Sequence, residues 1–190
     1  MRTGDWIQTY SGRVVYPLDP RKEDVFAEDI GHSRSLECRF GGHCRVFYSD
    51  AEHSVRVARV VSGLMATQRL AEGDVRILKL AALLHDASGT YLKDIPRPLK
   101  HSPLFDAYRE LEKRWQSCIN QRFALQADAH EARAIKQADE ILLATERRDL
   151  MFPCDKPWDL VEEPLVDVII PWHPGKAKRE FLAMLGDLYS

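Results

Sequence analysis

With 190 residues, the chain is long enough for one domain around a single continuous core and short for two. Its 27 basic and 29 acidic residues leave a formal net charge of −2, so no overall positive field announces a nucleic-acid polymer or a membrane surface as partner. A small, locally bound ligand fits that balance better. The four cysteines (Cys38, Cys44, Cys118, Cys154) lie far apart without CxxC spacing, which reads as reduced, core-filling thiols of a cytoplasmic protein. No apolar run approaches the ~20 residues of a membrane span, and MRTGDWIQTY lacks the basic-then-apolar pattern of a signal peptide.

In chain order, WIQTYSGRVVYPLDP sets a Ser-Gly turn between two stretches rich in Ile, Tyr and Val, predicting a small hairpin over residues 6–17 that Pro17 and Pro20 close. Val25, Ile30, Leu36 and Phe40 then recur in a roughly helical manner up to Gly41-Gly42. Ser49 followed by Glu52 forms a capping-box pattern, and Val57, Val60, Val61 and Leu64 carry an apolar stripe to about Met65. Asp74 is the expected cap of the next helix, whose Ile77, Leu78, Leu80, Ala81 and Leu84 suggest burial on most sides. Ser102-Pro103 starts another helix carrying Tyr108, Leu111, Trp115, Ile119 and Phe123, and residues 129–150 continue with Ile135, Ala138, Leu142 and Leu143. A proline-broken stretch from Pro153 to Pro174 precedes a last helix through Phe181, Leu185 and Leu188. The expectation is one all-α bundle with a small β-hairpin at its front and no internal repeat.

Four polar residues stand out on or at the ends of these apolar helices: His53, His85, Asp86 and Asp139. Side chains pointing inward from such helices are expensive to leave unpaired, and one shared cation would satisfy all four. Two imidazoles and two carboxylates suit Zn²⁺, Mn²⁺, Fe²⁺ or Co²⁺ and leave coordination positions open. Residue type and spacing alone leave a second reading open, in which each histidine is a hydrogen-bonded core residue.

The flanking motifs favour the first. CRFGGHCRVFYSDAEHS, LLHDASGTYLKDIPRPLK and ADEILLATERRDLM, with the WIQTYSGR opening and a late PW, resemble the HD-domain metal-dependent phosphohydrolases, in particular the small YfdR-type members close to the bacterial 5′-deoxynucleotidases. The resemblance covers nearly the whole chain and implies an HD-domain bundle that is a homo-oligomer. His53, His85, Asp86 and Asp139 match the family's metal ligands, for a divalent ion such as Zn, Co, Mn or Mg. Arg39 matches an arginine that contacts substrate phosphate, a role suited to a bidentate guanidinium. Lys136, one turn before Asp139, is expected to add a second phosphate contact. Asp94 matches a carboxylate near the scissile bond, in a loop stiffened by Pro96 and Pro98. His43 is a candidate lining residue of the nucleotide pocket. Without the family, Arg39 covering a helix end, Lys136 as a solvated charge, Asp94 capping a turn and His43 sitting in a turn all stay open.

One departure matters. After the HD pair the deoxynucleotidase relatives read HDAxE, with a glutamate that serves proton transfer, whereas this chain reads HDASG and has Gly89. By sequence the nearest acidic residues are Glu110, Glu112 and Glu146. The expected reaction is attack of an activated water on the phosphorus bearing the 5′ oxygen, with Arg39 and Lys136 on the phosphoryl oxygens and Asp94, or a water it orients, protonating the leaving oxygen. Gly89 removes bulk and charge where a triphosphate tail would run, which favours a dNTP, such as dATP, over a dNMP as substrate. Small phage dATP triphosphohydrolases of similar size release the nucleoside and intact triphosphate. A 5′-deoxynucleotidase and a non-catalytic nucleotide binder are the alternatives.

Overall fold

The computed structural model describes residues 2–66, 72–126 and 129–190. Eight α-helices and a two-stranded sheet make up its regular structure among those residues. The strands β1 (Ile7–Gln8) and β2 (Val14–Val15) pair antiparallel with Ile7 opposite Val15 and Gln8 opposite Val14. Asp29 holds the hairpin tip down, accepting from the Ser11 amide at 2.7 Å and its hydroxyl at 2.9 Å. Asp29 belongs to α1 (Ala27–Leu36).

Helical periodicity predicts that α1 runs on to the glycine pair, but it ends at Leu36. Glu37 and Cys38 are extended, because this stretch pairs with the segment before the next helix: Arg39 N–H donates to Tyr48 O (3.0 Å) and Asp50 N–H to Glu37 O (3.1 Å). A short 3-10 turn over Arg39–Gly42 follows, and Phe40, Gly41 and Gly42 all have positive φ, so the glycines supply the left-handed backbone this reversal needs. That pairing aims α2 (Asp50–Ala66) into the middle of the protein. Ser49 caps it by accepting the Glu52 amide at 3.2 Å. The Glu52 carboxylate does not complete the box; it turns instead to Arg56 and to the Trp172 amide.

Around α2 pack α3 (Glu72–Leu83), α7 (Ala129–Leu150) and α8 (Pro174–Tyr189), with α1 lying against both α2 and α8. Val55, Val57, Ala58, Val61, Leu78, Leu84, Ala138, Leu142 and Phe181 are all buried in one core cluster. Asp74 lies inside the first turn of α3 and is not its cap, and Ile77 is exposed, so α3 has a solvent face that its apolar run does not reveal. Cys154 is exposed as well, whereas the other three free cysteines are half-buried.

Between α3 and α6 (Asp106–Arg122) the proline-rich loop contains two single-turn helices that periodicity is too short to show, α4 (Gly89–Leu92) and α5 (Arg97–Lys100). Aromatic packing fixes this loop. Tyr91 stacks on Trp115 with ring centroids 4.1 Å apart, the Tyr91 hydroxyl donates to Asp24 O (3.3 Å), and the Trp115 indole N–H donates to Pro17 O (2.9 Å). Hairpin, loop and α6 are thus tied at one buried point. None of the described helices is long and apolar enough to cross a membrane.

Residues 151–173 run over the surface without regular structure and return the chain to α8. Asp149, at the end of α7, holds this strap: its carboxylate accepts the Ile169 amide at 2.8 Å and Arg148 Nε–H at 2.7 Å. Asp149→Ala leaves that half-buried amide without its partner, and urea denaturation is expected to show a loss of about 1–3 kcal/mol with earlier proteolysis inside 160–170. Arg148 holds the Asp149 carboxyl below its ordinary value, burial opposing. A lowered folded-state pKa means that this stabilisation is present at neutral pH and is lost as the pH falls through the lowered value.

Candidate metal centre

The functional cluster forms where α2, the end of α3 and α7 meet. His53 is four positions into α2 and wholly buried. His85 and Asp86 occupy the turn after α3, whose end is fixed by the Gln116 side-chain amide donating to Leu84 O at 2.9 Å. Asp139 enters from the middle of α7.

Each imidazole is oriented by its far nitrogen. His53 Nδ1–H donates to Glu146 Oε1 (2.7 Å) and His85 Nδ1–H to Ala82 O (2.8 Å). Both acceptors fix the tautomer and turn Nε2 into the cluster. There the two Nε2 atoms are buried and make no aligned hydrogen bond, although His53 Nε2 lies 3.1 Å from Asp139 Oδ1 and His85 Nε2 lies 3.2 Å from Asp86 Oδ2 and 4.0 Å from Asp139 Oδ1. Donor atoms at such separations span the edges of a coordination polyhedron whose bonds run ~2.0–2.2 Å. His53, His85 and Asp86 alone offer three ligand atoms within 4.8 Å of one another. A mixed N/O set with an exposed member suits a divalent transition metal with open positions, and Asp86, 54 % exposed, is that member.

Electrostatics point the same way. Burial pulls the His85 pKa down, yet Asp86, Asp139 and the Ala82 carbonyl carry it up to about 9. Burial and Arg39 both push His53 down, and Glu146 and Asp139 together outweigh them. Burial pushes Asp139 up, but His53, His85 and Arg39 hold it at about 2. Positive charge is therefore favoured at this cluster, as protons on the imidazoles or as a cation held between them.

Behind these ligands runs a buried chain of alternating charges. Asp50 Oδ1 lies 3.6 Å from Arg39 Nη1, Arg39 Nε–H donates to Glu146 Oε2 at 3.1 Å, and Glu146 in turn holds His53. Sequence reading leaves Glu146 unplaced among three acidic candidates; the structure puts it against His53, with Glu112 on Lys100 and Glu110 at the surface. A signal exists, since Glu146 follows Asp139 by two helical turns and shares its face.

The other expected site residues fall differently. Arg39 is 14 % exposed and engaged on two sides, yet close enough to Asp139 for each to shift the other's pKa. Lys136 is 70 % exposed and lies 3.5 Å from Glu140, a local i,i+4 pair at the surface. Asp94 is held by Lys100 Nζ at 2.9 Å, and that ammonium also binds Glu112. His43 is exposed at the end of the 3-10 turn, and Pro96 caps α5. Gly89 is buried, but it opens no channel: a Cβ there would lie 2.2 Å from Arg34 Nη1, so the Arg34 guanidinium occupies the space beside it. A cavity of about 450 Å³ lies on the hairpin side, lined by Tyr10, His32, Thr90 and Lys93 among others, and it includes none of the four ligands.

No protein-family model matches the chain. It is 34 % identical over 186 residues to the uncharacterized protein YfdR of Escherichia coli K12, an alignment covering 96 % of this chain and 95 % of that protein. It is 36 % identical over 140 residues to the uncharacterized protein RCAP_rcc00048 of Rhodobacter capsulatus, covering 72 % of this chain and 68 % of that one. Identity of that level across almost both full lengths makes the chain a member of the YfdR family.

Proposed function

We propose that the chain is a metal-dependent phosphohydrolase of the HD-domain type, cleaving the 5′ phosphate ester of 2′-deoxynucleotides, with deoxynucleoside triphosphates as favoured substrates and nucleoside plus intact triphosphate as products. The observation that carries this reading is the convergence of two buried, unpartnered imidazole Nε2 atoms on two carboxylates, each imidazole locked by an acceptor behind it. His53, His85, Asp86 and Asp139 would hold the metal. When bound, such a cation polarises a phosphoryl group and lowers the pKa of a water to roughly 7.

The chain's own residues do the remaining work. Glu146 and the Ala82 carbonyl keep both Nε2 lone pairs aimed inward. Arg39, fixed by Glu146 and Asp50 beside Asp139, presents its guanidinium edge to phosphoryl oxygens in an environment too dry to screen it. The Asp94 carboxylate, steadied by Lys100 in the stiff loop, stands for the leaving-group side, where it orients the water that protonates the 5′ oxygen.

The test is product analysis of a panel of dNTPs and dNMPs with Mn²⁺, Co²⁺, Zn²⁺ and Mg²⁺. Triphosphate and free nucleoside are the expected products. Orthophosphate from dNMPs alone would replace this reading by a 5′-deoxynucleotidase, and saturable binding without turnover under every metal would make the protein a nucleotide binder.

A further inference from the structure

α1 and α4 touch at Arg34 and Gly89, and the fit leaves no room for a side chain on the second. A Cβ on Gly89 would sit 2.2 Å from Arg34 Nη1 and 3.2 Å from its Cζ. Gly89 has no positive φ, so its backbone does not require glycine; what a side chain there would meet is the end of the Arg34 guanidinium. The contact lies at the candidate metal centre, because the Gly89 amide donates to the carbonyl of Asp86 at 3.2 Å.

Arg34 is itself unusual. Its side chain is 3 % exposed, and Nε and Nη1 have no hydrogen-bond partner among the described residues. Its ion-pair partner Asp50, 3.3 Å from Nη1, is shared with Arg39, so one carboxylate faces two guanidinium groups. Asp50 balances the charge at Nη1 without an aligned hydrogen bond and Nε has neither, so a further anionic oxygen is the acceptor that suits this buried guanidinium. A guanidinium offers two parallel N–H groups to a phosphoryl group, and here it packs against Gly89, one turn after Asp86.

We infer that Arg34 binds a phosphoryl oxygen, recognising a second phosphoryl group of a polyphosphate beside the one held at the His53, His85, Asp86 and Asp139 cluster, and that residue 89 is glycine to seat its guanidinium. The substrate's identity rests on the phosphohydrolase reading; the anion-binding role does not. Arg34 thus makes the centre selective for polyphosphates by attraction.

Calorimetry with inorganic tripolyphosphate tests this, on the protein as purified and after metal stripping, so that the result does not depend on turnover. Arg34→Met is expected to weaken tripolyphosphate binding by about tenfold or more, and Arg34→Lys by less, because the charge survives without the fork. Gly89→Ala, which forces the guanidinium aside, should weaken binding and lower Tm, and Arg34→Met/Gly89→Ala should recover Tm without recovering affinity. That last split separates binding from packing. Unchanged affinity in folded Arg34→Met overturns the assignment, as does wild type that does not bind tripolyphosphate. If Arg34→Met does not fold, Arg34→Lys and Gly89→Ala give the same reading. Loss of tripolyphosphate binding in these variants, with a wild type that hydrolyses no nucleotide, would remove the enzymatic proposal and leave Arg34 as an anion-binding residue.

Discussion

Alanine at both His85 and Asp86 is expected to leave the purified protein without stoichiometric divalent metal and to lower deoxynucleotide hydrolysis by more than about a thousandfold, with only a modest change in Tm. The asymmetry follows from where the two residues sit. Both lie in the turn after α3, outside the core cluster, and Asp86 is largely open to solvent. His85 contributes one hydrogen bond to the fold, to Ala82 O, worth about 1 kcal/mol. The double substitution also gives up the attraction of Asp86 and Asp139 for the His85 ring, a loss that the exposure of Asp86 to solvent keeps small. For the metal the same change deletes one imidazole and the exposed carboxylate, leaving His53 and Asp139, too few to retain a divalent ion tightly. Elemental analysis and a melting curve decide the matter together. Full metal occupancy in the folded double variant would sink the ligand assignment.

Much of the fold is legible from pattern because long amphipathic helices are local objects. Ala129–Leu150 matches the predicted span of 129–150, and α8 begins at Pro174, where the proline-broken stretch was expected to end. What fails is decided at a distance. The run to Phe40 has helical spacing, but the extended pairing of Glu37 and Arg39 with Asp50 and Tyr48 overrides it, and nothing within residues 25–42 announces a partner ten residues on. Ser49 and Glu52 spell a capping box of which only the serine half forms, since Arg56 and the Trp172 amide offer the carboxylate better partners.

The candidate site divides along the same line. Adjacent His85 and Asp86 after an apolar run are conspicuous because such residues are out of place there. Lys136 looks inward by its turn spacing to Asp139, yet Glu140 supplies a nearer and better-solvated answer. Gly89 stands out in the loop, but what it packs against is a side chain fifty-five residues upstream on another helix, which no reading of the loop alone contains.

Glu146→Ala is expected to be the most damaging single change to the fold in this region, costing about 3–5 kcal/mol in urea denaturation, because it breaks a buried ion network from its middle. Glu146 is fully buried and holds two partners at once: Arg39 through Oε2 and His53 through Oε1. Without it, Arg39 keeps only the longer ion pair to Asp50, already shared with Arg34, and the His53 Nδ1–H points at nothing. Glu146→Gln is the informative companion. The amide oxygen accepts one of the two donors while the amide NH₂ confronts the other, so a smaller loss of about 1–3 kcal/mol is expected. Burial pushes the Glu146 carboxyl up, but Arg39 and His53 outweigh it and hold its pKa below the ordinary value. A lowered folded-state pKa means that wild type carries this stabilisation at neutral pH and loses it as the pH falls through that value, so wild type and Glu146→Gln should converge in stability on acidification. Glu146→Ala should also bind metal about 10–100-fold more weakly, since the His53 ring loses the acceptor that fixes its tautomer, and Glu146→Gln by less, since its amide oxygen can still accept. A Glu146→Ala protein within about 0.5 kcal/mol of wild type, with unaltered metal affinity, would show that the charged chain behind His53 supports neither the fold nor the centre.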